Sequence, residues 1–117
     1  MPFSRDKLIL LQTKFRDPDY PGEQFYCEDC ILMEGLLKAF PSLNHSLEVV
    51  RVAWPRPRQA VVEILGSEHQ NLPVLILTDD GIGGPGVHNI NGMRFVSDKA
   101  AILEALSIRH GIPMRHP

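Results

Sequence analysis

Cys27-Glu28-Asp29-Cys30 is the stretch of this chain whose residue types and spacing could do chemistry, and it holds both of the chain's cysteines. Three positions apart on a helix, two sulfurs come within disulfide reach. At a helix start, the first of them also meets unbonded backbone N–H groups and the positive end of the helix dipole, which favour a thiolate. Cys27 would then be the attacking group in thiol–disulfide exchange, and Cys30, one turn inside the helix, the resolving thiol. The carboxylates of Glu28 and Asp29 oppose negative charge on sulfur, so the spacing predicts a more reducing dithiol than a neutral intervening pair would give. The same two carboxylates also suit a helix start for electrostatic reasons alone.

Metal binding is the first alternative use of the pair. Cys27 and Cys30 would supply half of a Cys2His2 set, completed by two of His45, His69, His88, His110 and His116. There is no second CxxC, and His110 and His116 stand slightly too far apart for the usual helical pair of ligands. The second alternative is a non-catalytic interaction module in which the cysteines are vestigial. Gly81-Ile82-Gly83-Gly84-Pro85-Gly86 invites a phosphate-loop reading, which fails on context. Such a loop follows a strand, opens a helix and ends in Lys-Ser/Thr, whereas here Val87-His88-Asn89 and a strand follow.

The elements that must position the cysteines read out in order. Residues 7–13 form an apolar run with polar ends, as a strand buried on both faces does. Residues 15–25 contain Asp17-Pro18-Asp19-Tyr20-Pro21-Gly22 and form a long loop, either a specificity lid or an insert packed by its own aromatics. Met33, Leu36, Leu37 and Phe40 have helical spacing, stopped by Pro41. The β-branched residues 47–54 predict a second strand. Pro57 opens a second helix with Val61, Ile64 and Leu65 inward and Gly66 at its end. Residues 72–78 predict a third strand with Pro73 at its start, where a missing N–H is tolerated. Residues 79–92 read as a Gly-rich connection ending in the turn signal Asn91-Gly92. Residues 93–96 are a short fourth strand. Ser97 caps a last helix with Ala100, Leu103, Ala105 and Leu106 inward, ended by Gly111 and Pro113. The order is β-α-β-α-β-β-α. The first two strands should be parallel across a right-handed helical crossover and the last two antiparallel.

At 117 residues, one domain over residues 1–117 is expected. Twelve Lys and Arg stand against 14 Asp and Glu, a net charge of −2, which argues against nucleic acid or an anionic membrane as partner. Arg56 and Arg58 read as sparse, solvated charges, and Trp54 as an edge-packing aromatic on which Arg56 could stack. Wholly apolar runs are as short as Val74-Leu75-Ile76-Leu77, far from the roughly 18–20 residues of a membrane span. Leu8-Ile9-Leu10-Leu11 is too short for a signal-peptide core, so a cytoplasmic protein is expected.

The position of Cys27-Glu28-Asp29-Cys30 at the first helix, Leu72-Pro73-Val74 at the third strand and the element order together resemble the thioredoxin-like superfamily. The residues from Phe95 to Leu103 are similar to the last helix of glutaredoxins and of the glutathione-transferase N-terminal domain. The resemblance spans roughly residues 7–112 and implies a four-stranded mixed sheet of order 2-1-3-4 flanked by helices. It further implies a cis proline at Pro73 lying against the CxxC, and a substrate groove shaped by the Leu72 backbone and Pro73. Tyr26, beside the motif, and Ser97 and Asp98, at the place that receives the γ-glutamyl end of glutathione, complete the expected substrate contacts. The partners so implied are a protein or small-molecule disulfide, with glutathione as a candidate co-substrate and no bound cofactor, on a monomer or homodimer. The long loop, the Glu-Asp interior and Tyr26 in place of Trp point to a bacterial branch apart from the housekeeping thioredoxins.

Overall fold

The computed structural model describes residues 5–78 and 84–117. Its elements are β1 (Asp6–Leu11), α1 (Glu28–Ala39), α2 (Leu43–Ser46), β2 (Leu47–Val52), α3 (Gln59–Leu65), β3 (Val74–Leu77), β4 (His88–Ile90), β5 (Met93–Val96) and α4 (Lys99–His110). The strands form one mixed sheet in the order β2-β1-β3-β5-β4. β1 and β2 are parallel, while β1 with β3, β3 with β5 and β4 with β5 are antiparallel.

The sheet has five strands rather than the four expected. Residues 88–90 were expected within a loop, because His88-Asn89-Ile90 is short and polar and shows no alternation of its own. What makes it a strand is the turn behind it. Asn91 and Gly92 both have positive φ, at 51° and 83°, and Ile90 pairs with Met93, so a two-residue turn folds β4 onto β5. The Gly81-Ile82-Gly83 part of the rejected phosphate loop lies outside the described residues.

Alternation along the strands divides the core between the two faces of the sheet. Leu8, Leu10, Leu75, Leu77 and Val96 pack with Met33 and Leu37 of α1 and Ile102, Ala105 and Leu106 of α4. Ile9, Val74, Ile76 and Phe95 face the other way and pack with Val61 and Leu65 of α3. Each fully buried Leu or Ile contributes about 1.5–3 kcal/mol by leaving water. The buried face of α4 includes the expected Ala105 and Leu106 but differs in the first turn. Ala101 and Ile102 are buried, Ala100 is exposed and Leu103 is half-buried. The cap is also displaced: Asp98, not Ser97, is the N-cap, and its carboxylate accepts from the Ala101 N–H at 3.1 Å. α3 begins at Gln59 with Arg58 as N-cap, so Pro57 lies before the helix instead of in its first turn. One unforeseen turn of helix, α2, precedes β2.

A buried ionic cluster joins the start of β1 to the end of α4. Asp6, 2% exposed, accepts from Arg109 Nε at 2.6 Å and Nη2 at 2.7 Å, and from the Thr78 N–H at 2.9 Å; His110 Nε2 lies 2.7 Å away. Burial alone would raise the Asp6 carboxyl. The bonds from His110, Arg109 and Thr78 more than reverse that and hold it well below the usual carboxylate range. Among the described residues, no helix is long and apolar enough to cross a membrane.

Candidate active site

Both cysteines are free and sit at the start of α1. Cys27 is the N-cap, in extended conformation (φ −88°, ψ 118°), and its Sγ accepts from the Cys30 N–H at 3.3 Å. A sulfur thus does what Ser or Asp does in an ordinary cap. Cys27 is half-buried, whereas Cys30 is 2% exposed.

The strand geometry explains the environment of Cys30. Pairing of β1 with β3 ends at Ile9 opposite Val74, because Pro73 precedes β3 and has no N–H to offer. Gln12 N–H turns to Val52 of β2, so by alternation Leu11 N–H faces the β3 side, where the ladder has stopped. Cys30 Sγ accepts that N–H at 3.4 Å. Burial pushes the Cys30 thiol up to about 12. Leu11 N–H pulls the other way, and Cys27 and Asp29 add to the rise.

The start of α4 lies beside this motif. Lys99 Nζ stands 3.6 Å from an Asp29 carboxylate oxygen, so one of the two acids inside the CxxC is paired with a cation. Both side chains are largely solvated, which keeps the pair weak. The Asp98 carboxylate is engaged in its cap. Ser97 is exposed and lines a cavity of about 240 Å³ with His69, His88 and Phe95. That cavity belongs to the face of Phe95, whereas Cys27 packs on the α1/α4 core. Tyr26 is 66% exposed. The Leu72–Pro73 peptide is cis; Pro73 is buried, and Leu72 packs against both halves of the core. The structure therefore brings Cys27, Cys30 and Leu72 onto one core and places Ser97 elsewhere.

The long loop is fastened beside the motif. Phe15 and Phe25 form an antiparallel bridge through two backbone hydrogen bonds, and Tyr20 packs edge-on against Phe25. Trp54 stacks on Phe15 with ring centroids 5.9 Å apart and planes 11° from parallel. Arg56 does not stack on Trp54 as expected; its Nη2 donates to Asn71 Oδ1 at 2.9 Å.

Arg58 is the residue that sequence reasoning missed. It reads as a solvated cation in a Pro-rich turn but is only 7% exposed. Its Nε donates to Trp54 O at 2.9 Å and its Nη1 to Gln70 O at 2.8 Å, while its own N–H donates to Gln70 Oε1 at 2.7 Å. Burial, and then the Arg56 charge, pull the guanidinium below its ordinary value, and Cys30 and Cys27 pull it back. Nothing in the local spacing marks it, because its partners Trp54 and Gln70 come from the segments before and after α3.

Among the described residues, no three His, Cys, Asp or Glu side chains gather as a metal site would require. His110 is instead engaged with Asp6, and His69 and His88 flank Phe95, each with ring centroids 5.4 Å away. No curated protein and no solved structure matches the sequence. Residues 5–114 match the model of a family described as protein of unknown function (DUF3088), and the chain belongs to that family.

Proposed function

We propose that this chain is a thiol–disulfide oxidoreductase on a thioredoxin-like fold, working through Cys27 and Cys30. One observation carries the reading. Two free cysteines stand one turn apart at a helix start, the outer one half-buried as the cap and the inner one enclosed as a neutral thiol. The order β2-β1-β3-β5 of the four strands read from the sequence supports the fold assignment.

Cys27 thiolate attacks one sulfur of the substrate disulfide. The substrate S–S bond breaks, a mixed disulfide forms, and the departing sulfur takes up a proton. Cys30 then loses its proton, attacks Cys27 Sγ and expels the second substrate thiol. The substrate gains two electrons and two protons, and Cys27–Cys30 becomes a disulfide that an external thiol must reduce. Because burial holds Cys30 protonated at neutral pH, the two sulfurs have distinct tasks. Leu72 and Pro73 shape the groove and Tyr26 borders it; glutathione is a co-substrate to be tested, but not through the expected contacts, because Ser97 lines the cavity on the Phe95 face and the Asp98 carboxylate is engaged as the α4 cap.

The test is equilibration in glutathione buffers with thiol counting by mass. A reversible loss of two protons between Cys27 and Cys30 is expected, and Cys30→Ala should accumulate a mixed disulfide at Cys27. A pair that stays reduced at every glutathione ratio would remove the oxidoreductase reading and leave the interaction module.

A further inference from the structure

A guanidinium that is more than nine-tenths buried normally has a carboxylate beside it, because leaving a charge unpaired in a dry environment is costly. Arg58 has none among the described residues. Its Nε and Nη1 are taken by the carbonyls of Trp54 and Gln70, which fix the plane of the group. Nη2 is left without a protein partner. Ser46 Oγ is the only fully enclosed side-chain polar atom lacking a partner among the described residues, so Arg58 Nη2 keeps an opening to solvent. The surroundings of this free donor are those of the candidate active site. Trp54 carries the ring stacked on Phe15, Gln70 stands two residues before Leu72, and Trp54, Phe15, Leu72 and Cys27 all pack on the core that contains Cys30. A negative charge on either sulfur would favour the Arg58 cation, which the charge of Arg56 disfavours.

We propose that Arg58 is the anion-binding residue of the dithiol site, receiving the carboxylate of an acidic disulfide substrate while Cys27 exchanges with its sulfur. The assignment rests on the oxidoreductase reading and narrows it to a substrate class. A planar guanidinium held by two carbonyls presents its remaining N–H groups in a fixed direction, which suits a carboxylate oxygen better than a flexible ammonium would. The stacked Phe15 and Trp54 rings offer an apolar flank for the carbon skeleton between carboxylate and sulfur.

Two alkylating reagents of nearly equal size test the charge directly. Iodoacetate carries a carboxylate and iodoacetamide is neutral. In both reactions the Cys27 sulfur attacks the methylene carbon and iodide leaves. The ratio of the two rates at Cys27, referred to a cysteine peptide, should fall about fivefold in Arg58→Gln, the size expected of one charge acting across several partly screened ångströms. Arg58→Lys should restore most of it. A purely structural Arg58 would change both rates together and leave the ratio where it was, which would overturn the proposal. Should Arg58→Gln not fold, the native chain decides: excess acetate should slow iodoacetate and spare iodoacetamide, and absence of that protection overturns the proposal equally. An unchanged ratio beside a reversible Cys27–Cys30 disulfide sinks only the role of Arg58. A changed ratio with no disulfide sinks only the oxidoreductase reading.

Discussion

Asp6→Asn is the substitution whose effect the structure determines most closely. The carboxylate takes four hydrogen-bonding groups on two oxygens. Thr78 N and Arg109 Nη2 meet Oδ1, and Arg109 Nε and His110 Nε2 meet Oδ2. Asparagine has the same shape but turns one oxygen into an NH2 group. In either orientation that group faces an Arg109 donor, so the change removes a charge and adds a donor–donor conflict. Breaking a buried ion pair by removing one partner costs about 3–5 kcal/mol. A domain of this length has roughly 6–18 kcal/mol in all, and the loss corresponds to roughly 10–20 °C in Tm. Urea unfolding at pH 7 should show the lower midpoint at an unchanged slope. The acid limb provides a second, independent readout. In the unfolded chain the Asp6 carboxyl protonates near about 3.9, and in the folded chain only at much lower pH. The unfolded state therefore binds more protons in that interval, and stability rises with pH there. The contribution of Asp6 is complete above about pH 5 and is lost as pH falls below it. Asp6→Asn should flatten this limb, and Arg109→Met should cost less in the Asp6→Asn background than alone. A cost below about 1 kcal/mol, or an acid limb identical to that of the native chain, would refute the reasoning.

Two further outcomes follow from geometry. Cys30 ionises near its ordinary 9.0 when unfolded but only at about 12 when folded. The unfolded state therefore sheds its proton first, and stability should fall between pH 9 and 12 more steeply in the native chain than in Cys30→Ala, as urea midpoints across that range would show. Gly86 has φ +81°, and a Cβ there would stand 2.7 Å from the Ala101 Cβ on α4. Gly86→Ala should cost about 2–4 kcal/mol from backbone strain and overpacking combined; an unchanged thermal midpoint would contradict the packing of this segment on α4.

The parts of this fold that local pattern determines could be read from the sequence. Helical spacing around Met33 and Leu37, β-branching in β2 and the apolar run of β3 each fix an element through side chains that are adjacent in sequence. The position of Cys27 at a helix start belongs to the same class, since capping is a local geometry. The features that could not be read depend on more than the pattern of their own side chains. β4 has no strand pattern of its own and exists because the Asn91-Gly92 turn, legible in itself, folds it onto β5. Arg58 is buried where the carbonyls of Trp54 and Gln70, from the segments before and after α3, both accept its N–H groups. The cap of α4 stands one residue later than expected, at Asp98; Ser97 is an equally good cap by type, and the sequence does not choose between them.

The meeting of Leu11 and Cys30 gives β1 a built-in witness. An amide proton bonded to sulfur shifts its resonance as that sulfur gains charge or changes its covalent partner. Leu11 ends β1 and is buried, so its amide is held away from bulk water. Electron transfer at the helix mouth is thereby recorded in the backbone of the β-layer, where isotope labelling of one leucine type can follow it without touching either cysteine.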